Sequence, residues 1–164
     1  MLGQHRHADA ARLCRQAIGA GFDSSALQLA LGEALIGLGQ LPEATACLQR
    51  ALALQPGDLR IYRKLGSVLY EQGLDQEMLA LAQRRLAQAP HDPAAHADLG
   101  KICMRMGRLE EARAAFEQSL RLAPQDLDTR SAWLYCCNFL SSMGPEDLLR
   151  EARIYGQYAT AAAR

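Results

Sequence analysis

The feature that most constrains this chain is a set of marks repeating every 34 residues. Leu31-Gly32, Leu65-Gly66 and Leu99-Gly100 stand at that interval, as do Gly39, Gly73 and Gly107. Pro56, Pro90 and Pro124 follow the same interval, and so do Asp58, Asp92 and Asp126. A leucine-rich stretch with helical spacing lies between the two glycine marks, and a second lies between the later glycine and the proline. A period of this length is that of a helix–turn–helix unit. Stacked units of this kind are held mainly by contacts with their neighbours, so the repeat predicts an all-α array.

Local chemistry agrees with that reading at each mark. The full repeats are 25–58, 59–92 and 93–126. The Gly after each Leu suits a close helix contact. Each proline closes a second helix, because it cannot continue one. Each Asp precedes the next helix, where its carboxylate can accept from free backbone N–H groups. Pro93 falls at a first helical position, where its missing N–H costs nothing.

Residues 2–24 read as an N-terminal half repeat, because Ala10, Cys14 and Ala17 have the spacing of Ala44, Leu48 and Ala51. Leu2-Gly3-Gln4 echoes the turn Leu38-Gly39-Gln40, so the chain is expected to begin inside a repeat, as a fragment of something longer. Arg85 stands where the neighbouring repeats place Ala51 and Ser119, which predicts a locally rotated or looser second helix around Arg84-Arg85. Residues 127–164 change character: Trp133-Leu134 replaces the Leu-Gly pair, and five of the nine aromatics follow residue 130. Gly144-Pro145-Glu146-Asp147 breaks one helix and starts another. This end is expected to cap the open core, with Ala159 to Ala163 trailing off poorly ordered.

Lys and Arg total 18 and Asp and Glu total 18, so net charge gives no drive toward nucleic acid or an anionic membrane. No stretch approaches the roughly 18 to 20 apolar residues of a membrane span. The start lacks the apolar core of a signal peptide. A cytoplasmic protein is expected. The cysteine count is odd, with no Cys-x-x-Cys spacing, so the thiols read as packing residues rather than a disulfide framework or zinc site. No phosphate loop, nucleophile elbow or His-Glu-x-x-His helix occurs. His5 and His7 flank Arg6 at a start expected to fray, His91 lies in a loop between repeats, and His96 sits early on a first helix. The expectation is therefore no enzyme, no cofactor and no metal.

These marks resemble the tetratricopeptide repeat at nearly every signature position over residues 2–126. Ala44 and Ala112 match the small residue of the second helix (Met78 is the exception), Leu48 and Phe116 match its large one, and Pro56, Pro90 and Pro124 match the closing proline. The resemblance implies a right-handed superhelix, an α-solenoid of antiparallel helix pairs, acting as a protein–protein interaction scaffold. Residues 127–155 are also loosely similar to the junction between repeats and catalytic region in bacterial O-linked N-acetylglucosamine transferase-like proteins, through Cys137-Asn138-Phe139, Pro145-Glu146 and Glu151-Ala152-Arg153. That implies an alternative, the substrate-selecting repeat region of a larger glycosyltransferase. The asparagine ladder of such transferases has no counterpart here, since Asn138 is the sole Asn.

In the tetratricopeptide family the second, fifth, ninth and twelfth positions of each first helix line a concave groove. Carried over, the resemblance implies Ala26, Leu29, Glu33 and Ile36, then Arg60, Arg63, Ser67 and Tyr70, with Lys64 beside them. The third repeat adds Ala94, Ala97, Lys101 and Met104, with Arg105 next, and the last helix adds Asp128, Ser131, Tyr135 and Asn138. The cations Arg60, Arg63, Lys64, Lys101 and Arg105 point to an acidic or carboxylate-ended peptide, because Arg presents a fork that fits carboxylates. The competing reading is a solvated face balanced by Glu33, Glu71 and Asp98. Self-association through the array ends is a further expectation, since an incomplete repeat leaves apolar stripes uncovered.

Overall fold

The computed structural model describes residues 2–140 and 144–162. Nine α-helices and no strand occur among them. In chain order they are α1 (Leu2–Gly19), α2 (Ser25–Gly37), α3 (Leu41–Leu54), α4 (Leu59–Gln72), α5 (Asp75–Gln88), α6 (Pro93–Arg105), α7 (Leu109–Leu122), α8 (Leu127–Cys137) and α9 (Pro145–Ala162). This is an all-α tetratricopeptide-type solenoid. The chain divides into two compact units, Met1–Met78 and Leu79–Arg164, with the division inside α5.

Repeating residues fix the helix ends. Ser24, Asp58, Asp92 and Asp126 each cap the helix that follows, accepting from the backbone N–H of Leu27, Arg60, Ala94 and Thr129 respectively. Ser24 thus occupies the capping place that the other repeats give to Asp. Gly39, Gly73 and Gly107 hold φ near +70°, the left-handed conformation that turns the chain from first helix to second. The turn expected at Leu2-Gly3-Gln4 does not form: α1 already runs from Leu2, and Gly3 lacks the positive φ of the turn glycines. At the other end α9 is helical to Ala162, so the poorly ordered tail expected from Ala159 is helix there, and Ala163 lies outside the described residues.

In the first unit α2 packs on α1 and α3, and α4 packs on α3. Ala11, Leu31, Ala34, Leu35 and Ala44 form a buried cluster that Cys14, Ile18, Ile36, Leu38 and Cys47 partly cover. The helices approach at Gly32, where an added Cβ would lie 3.0 Å from the Leu48 side chain. His7, expected to fray, instead lays its ring against Gly37, so close that a Cβ there would sit 2.5 Å from it.

In the second unit α7 packs on α6 and α8, α6 also touches α8, and α9 packs on α8. Gly100 faces the Phe116 ring, 2.6 Å from where a Cβ would be. The stripe Ala44, Leu48 and Ala51 is fully buried, as is Ala112, Phe116 and Ser119, whereas Ala10 is exposed and Cys14 and Ala17 are half-buried. Ser119 Oγ also donates to the Pro93 carbonyl at 2.8 Å, tying the end of α7 to the start of α6.

The two glycine contacts predict different tolerances. Alanine gains about 1 kcal/mol of helix propensity over glycine at either site. At Gly100 the rigid Phe116 ring must move, so Gly100→Ala is expected to lower stability by about 1–2 kcal/mol in urea unfolding. At Gly32 only the end of a flexible leucine must give, and Gly32→Ala should leave stability within about 0.5 kcal/mol of wild type. Adding Phe116→Leu to Gly100→Ala should restore part of the loss.

Candidate functional site

Each unit carries its own exposed first-helix face. On α4, Ile61, Tyr62, Leu65, Val68 and Leu69 are buried, while Arg60, Arg63, Lys64, Ser67 and Tyr70 are all exposed. On α2, Ala26 and Glu33 are exposed while Leu29 and Ile36 are half-buried. In the second unit α6 exposes Ala94, Lys101 and Arg105 and half-buries Met104, but Ala97 is buried. On α8, Asp128, Ser131, Tyr135 and Asn138 are all exposed. The structure therefore places Arg60, Arg63, Lys64, Ser67 and Tyr70 together on one unit, and Lys101, Met104, Arg105, Tyr135 and Asn138 on the other.

Internal ion pairs decide which cations stay open. Arg60 folds back on the cap of its own helix, donating from Nη2 to Asp58 at 2.7 Å and from Nε at 3.2 Å. That hydrogen bonding holds the Asp58 carboxyl below its ordinary value. Lys64 Nζ lies 3.2 Å from Glu33 of α2. Arg63 is exposed and makes no ion pair among the described residues. Pairing thus engages Arg60 through the capping Asp58, rather than through Glu33, Glu71 or Asp98, and Lys64 through Glu33, while Arg63 stays exposed.

In the second unit the unusual Arg85 organises the charges. Its guanidinium reaches forward to two carboxylates, Asp92 at 2.6 Å and Asp98 at 2.6 Å, with its side chain only 14% exposed. The helix is not shortened to make room: α5, like α3 and α7, spans 14 residues. Burial of the Asp98 carboxylate end raises its pKa despite the attraction of Arg85 and Lys101. At Asp126 burial also raises the carboxyl, but hydrogen bonds from Thr129 and from backbone N–H groups outweigh it and leave the pKa below normal. Lys101 is felt by both acids yet forms no ion pair itself among the described residues.

The divergent end supplies the aromatic part. Trp133 is buried, and Arg130 beside it is held by Glu151 at 3.3 Å, by the Pro124 carbonyl at 3.1 Å and by the Tyr158 ring at 5.3 Å. These contacts fasten α9 to α8. Tyr135 and Phe139 lie apart from this core, 57% and 59% exposed, and meet edge to face at 5.1 Å. The groove positions that the family resemblance implies include Tyr135 but not Phe139. The i, i+4 spacing was the available signal.

Residues 62–163 match the family described as the cilia and flagella-associated protein 70 middle TPR-like domain, and residues 1–69 match the tetratricopeptide repeat. The chain belongs to the tetratricopeptide-repeat family. The longer match takes in residues 127–155, so the segment that resembles a transferase junction falls within a TPR-like domain. Among solved structures the tetratricopeptide chain is similar to MamA, with 18% identity, a TM-score of 0.78 and coverage of 96% of this chain and 91% of that one. MamA of MSR-1 gives 21% identity and a TM-score of 0.72 over 96% and 90%. MamA from Desulfovibrio magneticus RS-1 gives 19% and 0.70 over 94% and 84%. At these identities the likeness shows the fold. No curated protein matches the chain.

Burial raises the thiols of Cys47, Cys103 and Cys136, and pushes Cys137 up to about 11, so these sulfurs are protonated at neutral pH. No group of acids, cysteines and histidines among the described residues could hold a metal, and no described helix is long and apolar enough to cross a membrane.

Arg85→Leu leaves Asp92 and Asp98 without their shared cation and should lower stability by about 1–2 kcal/mol in chemical denaturation. NMR titration should place the Asp98 carboxyl higher than in wild type, because one attraction that lowers it is gone. A carboxyl raised in the folded state weakens folding at neutral pH, and that cost is relieved as pH falls through its folded pKa. The Asp98 share of the deficit should therefore shrink on acidification.

Proposed function

We propose that the chain is a non-catalytic scaffold that holds an acidic or carboxylate-ended protein segment on the exposed faces of its first helices. Protein interaction is the general role of this repeat family. The observation that carries the finer reading is Arg63. It projects from α4 between Arg60 and Lys64, and only those two neighbours are occupied by internal carboxylates. Ser67 and Tyr70, on the same exposed face, add a hydroxyl and an aromatic ring. An incoming carboxylate meets a guanidinium fork without first breaking an ion pair.

Calorimetric titration with short peptides ending in Asp or Glu, each with a free or an amidated C-terminus, tests this. Free-ended peptides should bind more tightly, weakening as salt rises, and Arg63→Glu should reduce affinity about tenfold. Equal binding of amidated and free peptides, or an Arg63→Glu protein that binds as wild type does, would remove the assignment.

A further inference from the structure

We infer that the second unit holds a two-part docking surface, Lys101 with the Tyr135–Phe139 aromatic pair, for an acidic segment that carries an aromatic side chain beside its carboxylates. The inference rests on the interaction reading above and adds to it a distinct place and a sequence preference.

The aromatic pair is the first observation. Within one short helix and the turn that follows it, Trp133 goes into the core at 8% exposure, while Tyr135 and Phe139 stay more than half exposed. They form a single edge-to-face unit in i, i+4 register, which fixes the ring positions without burying them. Rigid aromatics lose little conformational entropy on binding and are enriched at interface centres. A third flat ring can complete the T-shaped arrangement on the open side of the pair.

The charge is the second observation. Lys101 is an exposed residue of α6, which touches α8 directly. Two carboxylates lie within its field, and both already serve other groups. Asp98, one helical turn earlier, is drawn to Arg85 at 2.6 Å, while Asp126 accepts from the Thr129 backbone N–H at 3.1 Å and its hydroxyl at 2.6 Å. The i, i+3 pairing that Asp98 would otherwise offer Lys101 is diverted by an arginine found in only one of the three repeats. The ammonium therefore has three donors available to an incoming acid. Asp128, exposed on the first turn of α8, repels the carboxylates of a bound acidic segment at that border, so they lie toward Lys101. Half-buried Met104 adds adaptable apolar surface on the Lys101 helix.

The test uses the full chain and fluorescently labelled synthetic peptides read by anisotropy. The probe is an Ala-Gly peptide with one Trp flanked by Glu on both sides and an amidated end. Controls replace Trp by Ala, or the Glu residues by Gln. Both changes should weaken binding about tenfold, as should Lys101→Glu, Tyr135→Ser and Phe139→Ser in the protein, with circular dichroism unchanged because all three side chains are exposed. Arg63→Glu should leave this amidated probe unaffected. If the probe fails to bind, or binds regardless of the Lys101, Tyr135 and Phe139 variants, the inference is overturned. If Arg63→Glu alone abolishes acidic binding, the inference falls while the carboxylate reading on α4 stands. Binding that depends on Trp but not Glu, or on Glu but not Trp, also overturns it, since the two-part surface requires both.

Discussion

Close approach of the two helices within a repeat is the constraint on which the remaining structure depends. Gly32 and Gly100 open a gap in the first helix, and Leu48 and Phe116 fill it from the second. Because these contacts bury one side of each first helix, its opposite side is left for solvent or a partner. On α4 the same division appears, with Ile61, Leu65, Val68 and Leu69 buried and Arg63, Ser67 and Tyr70 exposed. The left-handed turn glycines keep that geometry repeating, since they hold nearly the same φ at Gly39, Gly73 and Gly107.

Charge is arranged around this frame by capping groups that serve twice. Asp58 caps α4 and also binds Arg60, while Asp92 caps α6 and also receives Arg85. A carboxylate at a helix N-terminus is already favoured by the helix dipole, so an added guanidinium finds an ordered acceptor. Arg85 shows how a repeat absorbs an unsuitable residue. Instead of unwinding the helix or burying an isolated charge, the long side chain extends to two acids beyond its own helix. That diversion alters the surface, because it occupies Asp98 beside Lys101.

The fold was legible because each decisive signal was local and periodic. Glycine at a turn, proline past a helix end and aspartate before a helix start act through the backbone within a few residues. The capping aspartates and the turn glycines all sit where the interval of 34 residues put them. The two misread ends share a physical cause. Leu2-Gly3-Gln4 has turn composition, yet helix continues through it, since nothing there demands positive φ. The alanine-rich end is helical because alanine is a strong helix former once α9 is under way. His7 was read by its position near the terminus, while its place was decided by the absence of a side chain at Gly37.

The candidate faces were legible as positions but not as available chemistry. The tetratricopeptide resemblance implied Arg60, Arg63, Lys64 and Tyr70 on one face of α4, and Lys101 and Met104 on one face of α6. Sequence alone also determined the all-α repeat class, the capping residues and the unlikeness of the last segment. Tertiary structure decided that Glu33 meets Lys64, that Arg85 takes Asp98, that Ala97 is buried, and that Trp133 enters the core while Tyr135 and Phe139 stay exposed. The reason is one of range. Backbone conformation responds to neighbours along the chain, whereas the state of a charge or an aromatic ring depends on groups that packing brings to within a few ångströms.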